Sequence, residues 1–311
     1  MWKEYTLSFC ESSNYPVEAI AELVKSITVI EDNKQYREFF EKVLNDYEKD
    51  HSRKNIELLW RAIRESEIDI SISGETIEFL FFVLCTKRLN ELYKDAGIPQ
   101  KYFEGMKNDF KIKLLECHRI RNIWGCFSGA WHCNFLCMEC FAIGRLQYNL
   151  IRMPGCISLD GEKCFLGELA INVHIPAGEP LNKALIRESM KEAARFFAHN
   201  FENKEVLFVC HSWLLFPGHY QMLRKTSGIR QFMDEFEIIH VDIDSSKRNL
   251  WRIFGIESIQ EVGCLPCETS LQAGYKKWLE QGKPIGDGMG IKYMMLESEK
   301  SLSEEKVKNE R

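Results

Sequence analysis

Hydrophobic positions recur at helical spacing through the first 120 residues or so and at strand spacing after about Gly125. In the first half Tyr36, Phe39, Phe40, Val43 and Leu44 share one face. Ile56, Leu59, Trp60 and Ile63 form a second helical stripe. Residues 77–93 are apolar on most sides and predict a buried helix. Gly97-Ile98-Pro99 ends it, because Gly suits a C-terminal cap and Pro cannot continue a helix. Residues 67–74 read as a loop and 100–120 as a further helix. The pattern predicts an all-helical domain over residues 1–125.

The second half predicts an α/β domain over residues 126–296. It opens on a short helix at 131–141 and an alternating strand at 144–151. Pro154-Gly155 and Asp160-Gly161 are turn signals, the second suiting a hairpin into the apolar run 165–175. Asn182 is a good N-cap for a helix whose stripe is Ile186, Met190, Ala193 and Phe197. The strand at 206–210 runs into His211-Ser212-Trp213. Helix is expected at 219–235 and 269–280, and strand at 238–243 and 289–295, the last after a Gly/Pro-rich loop. Residues 297–311 lack apolar periodicity and read as a solvated tail.

One segment of this half can carry chemistry. A strand ending in His174 opens through Pro176-Ala177-Gly178-Glu179-Pro180-Leu181 onto a helix N-terminus, where backbone N–H groups and the helix dipole favour a phosphate. The alternative is a βαβ unit that binds nothing at its turn. Composition narrows the rest. A formal charge of -5 argues against a nucleic-acid footprint, and no apolar run approaches a membrane span. The N-terminus has no signal-peptide pattern, so a cytoplasmic location is expected. Most of the 12 cysteines should then be reduced and buried. Cys133, Cys137 and Cys140 have an iron–sulfur spacing, but Glu139 stands where an aromatic is usual, and no barrel pattern follows. Cys264 and Cys267 could supply only half a zinc site. No metal is expected.

The strings His174-Ile175-Pro176-Ala177-Gly178-Glu179-Pro180-Leu181 and Cys210-His211-Ser212-Trp213-Leu214-Leu215, with Ser189 and Gly144-Arg145-Leu146-Gln147-Tyr148, resemble the bacterial acyltransferase-like proteins that join a helical N-terminal domain to a GNAT-like (N-acetyltransferase superfamily) C-terminal domain. The resemblance implies a mixed, splayed sheet with flanking helices. Acyl-coenzyme A would lie in the V between the 169–175 and 206–210 strands. Its phosphates would rest on Ile175, Ala177, Gly178, Leu181, Asn182, Lys183 and Arg187. The implied function is N-acyl transfer to a small amine, with Ser212 and Trp213 lining the acceptor side. The chain departs from the superfamily loop in having one Gly, two prolines without an N–H and an acidic Glu179. The alternative is therefore a non-catalytic ligand-binding or sensing module on the same fold.

Acyl transfer to an amine needs a base and a proton donor for the thiolate. His174 is the first candidate base, since imidazole titrates near neutrality. His211 is a second candidate and Tyr220 the candidate acid. Each also has a structural reading, as a loop-bonding histidine, a strand-end cap and a packed ring. His211 and Ser212 point to opposite faces of their strand and cannot form a dyad with each other.

Overall fold

The structure is a computed structural model that describes residues 2–153, 165–202, 205–244, 249–256 and 261–296. It divides into two compact units, one of Met1–Ala142 with Pro176–Gly178, the other of Ile143–Ile175 with Glu179–Arg311. The turn signals at Pro154-Gly155 and Asp160-Gly161 and the tail 297–311 lie outside the described residues.

The first unit is built on seven helices: α1 (Trp2–Ser12), α2 (Val17–Asp32), α3 (Lys34–Lys49), α4 (Arg53–Arg64), α5 (Gly74–Asp95), α6 (Gln100–Arg121) and α7 (Gly129–Leu136). Helix α5 is buried on nearly all sides, with Phe79, Leu80, Phe81, Phe82 and Val83 fully enclosed, as its unbroken apolar run requires. Ser52, Ser73 and Asn33 cap the N-termini of α4, α5 and α3 with their side-chain oxygens. Gly97 adopts φ 66° just past α5, and Ile98 N–H closes back on Tyr93 O. The helix expected at 131–141 stops at Leu136. Met138 turns left-handed at φ 57°, and Cys140 and Phe141 enter a strand instead.

The second unit carries most of a six-stranded sheet: β1 (Cys140–Ile143), β2 (Leu146–Arg152), β3 (Leu169–His174), β4 (Glu205–Ser212), β5 (Glu237–Ile243) and β6 (Gly286–Met295), ordered β1-β2-β3-β4-β6-β5. Pairing is mixed. β3 and β4 are parallel, while β2 with β3, β4 with β6 and β5 with β6 are antiparallel. Helix α8 (Lys183–Phe197) makes the crossover from β3 to β4, and its stripe of Ile186, Met190, Ala193 and Phe197 is buried. Short helices α9 (His219–Met222), α10 (Gly228–Met233) and α11 (Leu250–Phe254) precede α12 (Ser270–Glu280), which opens on a capping box between Thr269 and Gln272.

Two expectations for this unit are corrected. The single helix at 219–235 is two short helices, because Leu223 leaves α9 with extended backbone. The Gly/Pro-rich stretch is not all loop. Gly286, Gly288 and Gly290 lie within β6 because close-packed neighbours leave no room for a Cβ on their face. Among the described residues no helix is long and apolar enough to cross a membrane.

Candidate functional site

Strands β3 and β4 stay together for two paired positions, Ile171 with Phe208 and Asn172 with Val209. Beyond them β3 runs on to His174 and β4 to Ser212 without further pairing to each other. On its other side β4 remains fully laddered to β6, from Glu205 opposite Met295 to Ser212 opposite Gly288. The sheet therefore opens as a V from Val173 and Cys210 onward. His174 is at one lip; His211 and Ser212 are at the other.

His174 is not free to titrate near neutrality. Its Nε2 lies 2.7 Å from Asn149 Oδ1 and 3.0 Å from Asn172 Nδ2, and Asn172 Nδ2 also donates to Asn149 Oδ1 at 3.2 Å. Asn149 and Asn172 are cross-strand partners, so amides of β2 and β3 hold the ring on one sheet face. Burial lowers its pKa to about 4, and the imidazole is neutral at pH 7. The expectation of an imidazole titrating near pH 7 is thus corrected by desolvation.

His211 is half-exposed and faces a carboxylate 31 residues along the chain: its Nε2 is 3.2 Å from Asp242 Oδ2. Ser212 Oγ accepts the Leu214 N–H and caps the following turn. Trp213 packs edge-on against His219 and Tyr275 beside the cluster that includes Phe216 and Trp278. In the same core His219 is wholly buried and neutral, its Nε2 2.7 Å from the Tyr275 hydroxyl, which donates to it. Tyr220 donates its hydroxyl to Asp234 at 2.9 Å and lies under Arg230, and burial and that carboxylate raise its pKa.

The loop after β3 is held from below. Arg145, buried in the turn just before β2, donates to the carbonyls of Glu179 and Pro180. Gly178 sits at φ +100°, a conformation that only glycine adopts without strain. Asn182 Oδ1 takes the N–H groups of Ala184 and Leu185 at 2.9 and 3.2 Å, so two of the first α8 donors are already satisfied. Lys183 and Arg187 both reach the buried carboxylate of Glu235, at 3.6 and 2.9 Å, and Lys292 completes the cluster at 2.6 Å. Three cations share one carboxylate, which leaves a positive excess at the start of α8. Beside it lies a cavity of about 500 Å³ lined by Pro180, Leu181, Asn182, Lys183, Ser227 and Gly228, among others. Ile175 leads into the turn and is partly buried, while Ala177, within it, is exposed.

Sequence reasoning gave Arg145 and Ser189 no role, although both lie in strings that it had marked. Ser189 Oγ donates to Ile143 O at 2.5 Å and receives Leu146 N–H at 3.2 Å, with the Tyr148 hydroxyl at 2.7 Å. It ties β1, β2 and α8 together, and Gly144 has no Cβ because one would lie 3.1 Å from Ser189 Cβ. Ser189→Ala strands the buried Leu146 donor and Ile143 acceptor. We expect a loss of about 2–3 kcal/mol, read from urea unfolding. A change below about 0.5 kcal/mol would contradict the role.

The cysteine array does not converge on a ligand. Cys133 and Cys140 are buried, and burial raises the Cys133 and Cys137 thiols to about 12 and 11. Both donate to helix carbonyls, Gly129 O and Asn134 O. Among the described residues no three His, Cys, Asp or Glu side chains are placed to hold a metal ion.

Residues 140–292 match the family model of the GNAT-like C-terminal domain. Solved acyltransferase structures share the fold. One in complex with decanoyl-CoA has a TM-score of 0.69 at 17% identity, covering 92% of this chain and 86% of that one. One with decanoyl-CoA and teicoplanin has a TM-score of 0.71 at 17% identity, covering 93% and 87%. A mutant acyltransferase with octanoyl-CoA has a TM-score of 0.71 at 18% identity, covering 94% and 88%. No curated protein sequence matches the chain.

Proposed function

From the premise that the chain carries a GNAT-like C-terminal domain, we propose that it is an acyl-coenzyme A-dependent acyltransferase acting on a small-molecule amine. The observation that carries this reading is the parting of β3 and β4 after two paired residues. Past that point the facing edges of β3 and β4 are not paired with each other, and an extended amide-bearing ligand can pair with them as a strand would. The pantetheine arm of coenzyme A has that chemistry. The cavity beside Lys183 offers room for the nucleotide end, and the excess positive charge around Glu235 suits its phosphates. The solved acyltransferases of the same fold hold decanoyl-CoA or octanoyl-CoA, which supports a medium-chain donor.

A second reading also has an observation behind it. Asn182 occupies the first α8 donors, and Glu235 engages the nearest cations, as in a module that keeps the fold but binds its ligand weakly. Calorimetry with decanoyl-CoA separates the two. The transferase reading expects saturable binding that Gly178→Asp abolishes, since that change strains the turn and adds a carboxylate. If neither decanoyl-CoA nor acetyl-CoA binds, the donor assignment fails and the sensing module is favoured.

A further inference from the structure

Three strands bring a carboxylate between two imidazoles on one face of the sheet. His211 of β4 stands opposite Met289 of β6, and His240 of β5 stands opposite the same Met289. Asp242 lies two residues beyond His240 and shares its face. His211 Nε2 is 3.2 Å from Asp242 Oδ2, and His240 Nε2 is 3.0 Å from Asp242 Oδ1. The hydrogen bond from His240, with the charge attraction of both rings, holds the Asp242 carboxyl below the usual carboxylate range. A carboxylate only accepts, so each bond requires the hydrogen on Nε2. That fixes the His211 tautomer and leaves its Nδ1 as the basic nitrogen.

Position favours His211 for proton transfer. Continuing the β3–β4 register by two residues puts it level with His174 at the V, on the same face. Among the described residues no hydrogen-bond partner stands at His211 Nδ1, and the side chain is 44% exposed, so a substrate can reach it. The other groups facing the cluster are Met289 and Asp287 of β6, the latter accepting from Asn249 at 2.9 Å. His174 is paired through Nε2 with an amide oxygen. An amide oxygen stabilises an imidazolium less than a carboxylate does.

We propose that His211 takes the proton from the attacking amine and that Asp242 is its positioning residue, with His240 clamping the second carboxylate oxygen. This rests on the acyltransferase reading. In the step, the neutral amine attacks the thioester carbonyl carbon and a C–N bond forms. One N–H proton passes to His211 Nδ1, the C–S bond breaks, and the departing thiolate takes the proton from the imidazolium. Amide and free coenzyme A result.

The test uses the full chain with decanoyl-CoA and n-hexylamine, following thiol release, and side-chain ¹⁵N NMR of His211 assigned by its loss in His211→Gln. Asp242→Ala should lower kcat by about 100-fold while KM for decanoyl-CoA stays the same, and Asp242→Glu should restore part of it. His174→Gln should retain kcat to within about tenfold, short of the roughly 100-fold that loss of a general base costs. The His211 ring should show the Nε2–H tautomer in the native chain and a mixture in Asp242→Ala. Native kcat in Asp242→Ala, or a native ring that is mixed or Nδ1–H, overturns the proposal. If hexylamine is not acylated, the tautomer decides alone. If decanoyl-CoA does not bind, the acyltransferase reading falls, and a locked Nε2–H tautomer would still establish the dyad.

Discussion

Gly288→Ala should destabilise the second unit by about 3 kcal/mol, at the upper end of overpacking costs. The Cβ would fall on the Leu215 carbonyl, 2.7 Å from its carbon, and a backbone group cannot swing aside as a side-chain end does. Gly288 pairs with Ser212 on one side and Val241 on the other, so the strain reaches both strands that carry the His211–Asp242 pair. Urea unfolding of the native and variant chains reads the effect directly. A midpoint unchanged within error would mean that the turn after β4 has slack which the packing does not show.

Glu78 should give a large pH-dependent effect on stability across the neutral range. Its side chain is 6% exposed in the helical unit, with Arg64 Nε at 3.7 Å, beyond a good hydrogen bond. Burial is the main cause that raises its pKa to about 7 from the ordinary 4.5. A carboxyl with a raised folded pKa binds its proton more tightly in the folded chain. Its contribution is therefore most favourable at or below pH 4.5 and is lost as pH rises through 7. Over that window the cost of ionising it is of order 3 kcal/mol. Glu78→Gln cannot ionise, so it should match the native chain at pH 5 and exceed it by up to about 3 kcal/mol at pH 8. Equal differences at the two pH values would show that Glu78 is ionised throughout.

Much of this was legible in the sequence, and the gaps have physical causes. The helices of the first unit follow from stripes, caps and a run too apolar to be exposed. The β3–α8–β4 crossover follows from alternation, Asn182 and the α8 stripe. What alternation does not carry is register. β5 contains a bulge between Ile238 and His240, and the extra residue, Ile239, is buried in the core. Past a bulge the side chains change face relative to simple alternation, which is how His240 and Asp242 come to share a side with His211. No residue in that run announces the shift, so Asp242 could not be paired with His211 from the sequence. β6 was misread for a related reason. Gly286, Gly288 and Gly290 look like a loop until the backbone pressed against them is known. The burial of His174 was equally hidden, since its amide partners arrive from another strand. His219 escaped notice because its partner, Tyr275, is 56 residues away.

The thin join between β3 and β4 also has a mechanical meaning. Two paired positions connect one half of the sheet, β1-β2-β3, to the other, β4-β6-β5, whose internal ladders are longer. Resistance to bending in a sheet scales with the hydrogen bonds that must give, so compliance is concentrated along this one line. Amide protons there should exchange sooner than those of the β4–β6 ladder. A guest wedged into the gap would load the seam and leave the strands themselves unbent. Guests of different girth would then be met by a small change in the angle between two stiff plates.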